Sequence, residues 1–295
     1  MTMFVVMCGF IAGVFGAMVG SFLNVFIYRL PRETLSVNKP RRSFCPLCGN
    51  AIPWYDNIPV ISYFFILSGK CRFCGSIISF RYPFVEILTL FLFAGLTLQE
   101  FDGAYGIGDI GLSGFAIWLV HLFLISAALV VTFIDLEFQI IPDEITYSGA
   151  LLSPVICALL PKLQAESSLC LEIWNPHLAG FISSLGGAFV GGGTLFFIGI
   201  LGKAFLKREA LGMGDVKYMI FVGGLLGWEG ALLVFFLGCA TGSLIGLPVR
   251  MLTGRQEIPF GPLLSLGVLL VIFFRSEMMD FLLVTWPSWV LTLFN

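Results

Sequence analysis

The chain has 295 residues, 58% of them hydrophobic and only 12% charged, with a mean hydropathy of +0.98. A soluble domain carries about 25% charged residues, so these charges cannot cover a globule in water, and lipid is the main solvent. The net charge of −2 gives no basis for nucleic acid as a partner.

A bilayer span takes roughly 17–25 apolar residues. In chain order such runs fall at Phe4–Tyr28, Tyr82–Leu98, Phe115–Ile134, Ile145–Leu160, His177–Leu201, Gly230–Val249 and Ile258–Phe274. A shorter run, Val216–Trp228, carries Gly223, Gly224 and Gly227. The pattern predicts an all-α, polytopic membrane protein with eight spans. The apolar tail Phe281–Phe294 is short, and either lies at the interface or makes a ninth. The first run lacks a basic start and is followed by positive charge from Arg29 on, so it reads as a retained helix and not as a secretory signal. Gly9, Gly13, Gly16 and Gly20 in this run, and Gly187 and Gly191 in the fifth, are spaced for close helix packing.

Lys and Arg positions set the expected topology. The segment from Arg29 to Arg81 holds Arg29, Arg32, Lys39, Arg41, Arg42, Lys70, Arg72 and Arg81; later connections hold Lys203, Lys207, Arg208 and Lys217, then Arg250 and Arg255. Alternation puts these fourteen of the sixteen basic residues on one side and leaves only Lys162 and Arg275 on the other. The rich side is expected to be cytoplasmic, with the N-terminus outside. That parity requires the short sixth run to cross.

Four of the eight cysteines lie in the first of these connections: Cys45, Cys48, Cys71 and Cys74, as two C-x2-C pairs each followed by glycine. Two cysteines so spaced can grip one tetrahedral ion if the backbone turns sharply, and Gly49 and Gly75 tolerate the positive φ of such a turn. Four thiolates favour Zn²⁺. Two disulfides would be unstable in a reducing cytosol, and a redox motif needs only one such pair. With four protein ligands the ion is closed to a reacting water, so its expected role is folding. Cys8, Cys157, Cys170 and Cys239 lack paired spacing and read as packing residues.

Acidic groups at membrane-helix ends are costly and call for a reason. Asp135 ends the third run, where the helix dipole disfavours negative charge, so capping does not explain it. Asp143, between Pro142 and Ile145, suits an N-cap, while Glu137 and Glu144 are expected to be interfacial and solvated. Asp215 follows Gly212-Met-Gly214; both an N-cap and a carboxylate in a wet cleft are open to it. Two aspartates held together cannot both ionise easily, so one can activate water while the other donates a proton to a peptide carbonyl. No serine triad competes: the two histidines, His121 and His177, fall within or at the outer end of spans, where packed or hydrogen-bonded roles are expected.

From the first span to about Pro262 the chain resembles the type IV prepilin peptidase family, the prepilin leader peptidase/N-methyltransferases. The resemblance rests on Gly20-Ser-Phe-Leu-Asn-Val-Phe-Ile-Tyr-Arg-Leu-Pro31, both cysteine pairs, Asn57-Ile-Pro59, Gly69-Lys-Cys71, Arg81-Tyr-Pro83 with Glu86, Asp135 with Pro142-Asp143, and Gly212-Met-Gly-Asp215. It implies a bacterial inner-membrane enzyme whose catalytic pair is Asp135 and Asp215. It also implies prepilin or type II secretion pseudopilin substrates, cut on the cytoplasmic side after a glycine, and S-adenosylmethionine as methyl donor to the new N-terminus. No Gly-rich dinucleotide loop marks a site for that donor; Glu86 is a candidate to meet an amine, although an acid is favoured at a helix start anyway.

The expected layout is a first span over residues 1–28, a zinc-binding loop over 29–81 and a peptidase core over 82–295, in contact with lipid. Two other readings are a proton-coupled transporter, in which Asp135 and Asp215 relay protons, and a noncatalytic assembly factor docking through its zinc loop. A transporter would show repeated span patterns, and the sequence has none; an assembly factor leaves both aspartates without a purpose.

Overall fold

The structure is a computed structural model that describes residues 2–32, 42–164, 175–207, 211–246, 248 and 259–285. Seven α-helices account for most of them: α1 Met3–Arg29, α2 Arg81–Glu100, α3 Ile107–Phe138, α4 Asp143–Leu159, α5 Pro176–Leu206, α6 Met213–Thr241 and α7 Gly261–Asp280. Among the described residues the only β pairing is two isolated bridges, Phe44 with Ala51 and Lys70 with Ile77. The chain divides into two compact units, Met1–Ile145 and Thr146–Asn295.

In the first unit, glycine decides how α1 meets α2. The four glycines of α1 form one face against that helix: a Cβ at Gly16 would fall 2.7 Å from the Thr89 carbonyl oxygen, and one at Gly20 would fall 2.8 Å from Glu86 Cα. Small residues let backbones approach this closely where lipid offers no hydrophobic drive between helices. Farther along α2, Thr97 Oγ1 accepts from Trp118 Nε1 of α3 at 3.0 Å.

The second unit is organised by a break in α6. Gly227 has φ 77° and ψ 176°, outside the helical range. A Cβ at Gly223 would lie 3.3 Å from Ala231 Cβ, whereas eight residues of uninterrupted helix separate such atoms by about 12 Å along the axis. The chain therefore folds back at Gly227 into two arms. The break strips the last carbonyls of the first arm of their helical partners, and side chains replace them. Gly224 O accepts from Ser184 Oγ at 2.7 Å and Gln164 Nε2 at 2.8 Å, Leu225 O accepts from Gln164 Nε2 at 3.1 Å, and Leu226 O accepts from an Arg275 guanidinium nitrogen at 3.0 Å. Gly187 of α5 admits the hairpin, since a Cβ there would fall 2.2 Å from the Gly223 oxygen.

Among the described residues, six helices are long and apolar enough to cross a membrane, with α6 counted once. The expectation of eight spans adds α4, which has 17 residues, and takes the two arms of α6 separately. Each arm is about 21 Å long at the rise of an α-helix, shorter than a bilayer core of about 30 Å. After α7 the chain makes one more turn, Phe281–Thr285. The rest of the tail lies outside the described residues, as do Lys39, Arg41, Cys170, Arg208, Arg250 and Arg255.

Gly187→Val is expected to lower the thermal midpoint of the detergent-purified protein by the equivalent of about 1–3 kcal/mol, the scale of overpacking a filled core. Gly193→Ala, where nothing lies within 4 Å of the added carbon, is expected to leave it unchanged; equal effects would contradict the packing role of Gly187.

Candidate functional site

In the loop between α1 and α2 the two cysteine pairs build matching turns. Cys45 N donates to Asn50 O and Gly49 N to Cys45 O, each at 2.9 Å; Cys71 N donates to Ser76 O at 2.8 Å and Gly75 N to Cys71 O at 2.9 Å. Gly49 and Gly75 have φ of 72° and 70°, so the expected left-handed glycines are present. The turns bring all four Sγ atoms within 4.8 Å of one another, a group that could hold a metal ion, and none of the four is in a disulfide. Burial opposes ionisation of Cys45, yet hydrogen bonds from the N–H groups of Cys48 and Leu47, together with the Cys48 and Cys71 thiols, outweigh it and bring that thiol down to about 6. Asp56, which the sequence reading did not single out, braces the second turn. Its carboxylate accepts from Arg72 Nε at 2.7 Å and from a terminal guanidinium nitrogen at 2.6 Å, which holds it below the usual carboxylate range.

Glu86 stands on the second turn of α2 and is 8% exposed. One of its oxygens accepts from Val60 N at 2.7 Å. Val60 has φ 62°, a left-handed conformation that is an outlier for a β-branched residue and costs on the order of 1–3 kcal/mol. Beside Glu86 opens a cavity of about 570 Å³ whose lining includes Asn24, Tyr28, Arg29, Tyr63, Tyr82 and Glu86.

Asp135 is 6% exposed and lies in the last turn of α3. That turn closes through Gln139, whose N–H donates to Asp135 O at 3.0 Å from a left-handed cap at φ 56°. Glu137, two residues on, is exposed as expected but is also paired: Arg32 lies 3.5 Å from one carboxylate oxygen and Arg81 pairs with the other. A carboxylate where the helix dipole is unfavourable gains from such partners.

α4 opens at Asp143, the end of the first unit falling within its first turn. Asp215 is 9% exposed and lies in the first turn of α6. The N-cap reading of Asp215 is corrected here. Gly212, with φ −74° and ψ 141°, occupies the cap, and Asp215 is the third helical residue. Its carboxylate folds back over that glycine, since a Cβ at Gly212 would lie 3.2 Å from Oδ2. Lys217 Nζ sits 4.7 Å from the centroid of the Tyr147 ring of α4. The histidines are engaged elsewhere, His121 with Glu100 and His177 Nδ1 with Ala158 O at 2.6 Å.

Family models match both parts of the chain. Residues 14–100 match the bacterial peptidase A24 N-terminal domain, and residues 122–247 match the type IV leader peptidase family. The prepilin leader peptidase/N-methyltransferase of Myxococcus xanthus (strain DK1622) is 34% identical over 82% of this chain, which spans 63% of that relative's length. That of Burkholderia pseudomallei (strain 1026b) is 32% identical over 89% of the chain and 84% of its own length, and that of Dichelobacter nodosus is 29% identical over 91% and 92%. No solved structure matches the chain. A multi-pass bundle with this cysteine loop, matched along most of its length, belongs to the type IV leader peptidase family.

Proposed function

We propose that this chain is a prepilin leader peptidase and N-methyltransferase of the bacterial inner membrane, with Asp135 and Asp215 as its catalytic pair. The observation that carries the reading is the match to the type IV leader peptidase family over residues 122–247, which includes both aspartates. Each is at least nine-tenths buried at a helix end. Lipid would not tolerate such groups without a task. Neither the proton-relay nor the assembly-factor reading draws on any observation that this one leaves unused.

The chemistry follows from two carboxylates sharing one proton. The ionised one takes a proton from water as the water oxygen bonds to the scissile carbonyl carbon, while the protonated one donates to the carbonyl oxygen. Collapse breaks the C–N bond, and the departing amine takes up a proton. The substrates are prepilins or pseudopilins, and the basic leader meets the enzyme on the cytoplasmic side, where fourteen of sixteen Lys and Arg residues gather in the expected topology. In this layout residues 29–81 form the metal-bound loop and 82–295 the peptidase core.

The metal is structural Zn²⁺ held by Cys45, Cys48, Cys71 and Cys74. Tetrahedral Zn–S bonds of about 2.3 Å place sulfurs about 3.8 Å apart, and Cys45 and Cys74 Sγ are 3.9 Å apart. S-adenosylmethionine supplies the methyl group for the new N-terminus. The cavity beside Glu86 suits it: small-molecule sites run about 300–1,000 Å³, and Tyr28, Tyr82 and Glu86 offer aromatic faces and a negative charge to a sulfonium cation.

Asp135→Asn and Asp215→Asn are each expected to abolish leader cleavage by the reconstituted enzyme while it stays folded and inserted; processing of a prepilin at the normal rate by either variant rejects the pair. Metal analysis of protein purified under reducing conditions is expected to give about one zinc per chain, with Cys45→Ser losing it, and no zinc in the intact protein refutes the loop assignment. Glu86→Gln is expected to cut N-terminal methylation, read by mass spectrometry of the mature pilin, at least tenfold more than it cuts cleavage. Parallel losses would place the donor elsewhere.

A further inference from the structure

We propose that Glu137 is a positioning residue for the peptidase reaction, coupling the metal-bound loop to Asp135. The inference rests on the assignment of Asp135 as catalytic. Its two partners, Arg32 and Arg81, stand at opposite ends of one loop: Arg32 follows α1 as the loop begins, and Arg81 opens α2 as it ends. Both guanidinium groups converge on Glu137, Arg32 at 3.5 Å from one oxygen and Arg81 on the other. Arg32 also stacks against the last residue of α3, its guanidinium carbon 5.0 Å from the Phe138 ring centroid and 4.1 Å from that of Tyr28. The middle of the loop is tied to α2 by the Val60–Glu86 bond.

An isolated exposed ion pair would deserve no such role, because it is screened and contributes little. Here the three side chains are only 31%, 20% and 39% exposed for Arg32, Arg81 and Glu137, and one carboxylate is shared by two cations that also stack on aromatic rings. Glu137 does not strengthen its own helix, since an acid in the last turn opposes the dipole. Residues two apart on a helix face different ways, so Glu137 can hold the turn from the loop side while Asp135 presents its carboxylate elsewhere. The turn is closed by the Gln139 N–H on Asp135 O, so a shift of Glu137 is carried to Asp135. Loop order, set by the cysteine turns, thereby fixes where the catalytic carboxylate stands, and the metal matters to cleavage without touching the substrate.

The test uses the full chain in proteoliposomes with a purified prepilin, measuring kcat, KM and bound metal for the wild type, E137Q, R81Q and the double variant. E137Q is expected to lose on the order of tenfold in kcat, with KM within about twofold and metal content unchanged. The double variant should be no slower than E137Q alone. Removing the metal should slow the wild type by a similar factor and add little to E137Q. Full kcat in E137Q, a loss confined to KM, or multiplicative effects in the double variant would overturn the coupling. If E137Q does not insert stably, R32Q answers from the other partner, and normal kcat there overturns it as well. D135N serves as the control: cleavage by D135N sinks the peptidase assignment, whereas a dead D135N beside a fully active E137Q sinks only the coupling.

Discussion

Lipid supplies no hydrogen bonds, and this constraint governs the molecule. A backbone carbonyl released inside a bilayer must find a partner within the protein, or it costs several kcal/mol. The hairpin in α6 shows the rule at work. Having no Cβ, Gly227 adopts φ 77° without a steric penalty, and the carbonyls it releases at 224, 225 and 226 are met by Ser184, Gln164 and Arg275. The arms stay short, and Asp215 rides in the first turn of one of them.

Glycine serves two separate ends. In α1 and α5 it removes bulk so that helix backbones touch, as at Gly16 against Thr89 and Gly187 against Gly223. In the cysteine turns and at Gly227 it provides a backbone conformation instead. Val60 reaches the same left-handed region without being glycine. A buried carboxylate on its N–H is what holds it there, so the strain points to Glu86 as an anchor for the loop.

Charge placement follows the same economy. The loop carries its own ion pair, Asp56 with Arg72, around the second cysteine turn. Its two ends converge on Glu137. Three carboxylates that could pass for solvated surface groups thus have fixed partners in the first unit, counting Glu86 with Val60. Asp135 is buried at a helix end whose dipole works against a negative charge.

Much of this was legible without coordinates. Period and length mark the apolar runs, because lipid solvation acts on whole segments. C-x2-C-G spacing marks the cysteine turns, because their geometry is local to five residues. Asp135 and the Gly-x-Gly-Asp215 element stand out because membrane helices carry so few acids. Tertiary structure alone decided which distant groups meet. That Glu137 draws Arg32 and Arg81 together, that Glu86 holds Val60, and that Gln164 and Arg275 cap one broken helix depend on packing between segments far apart in sequence. Side-chain identity sets what a residue can bond, but its partner is chosen by which helices come within reach.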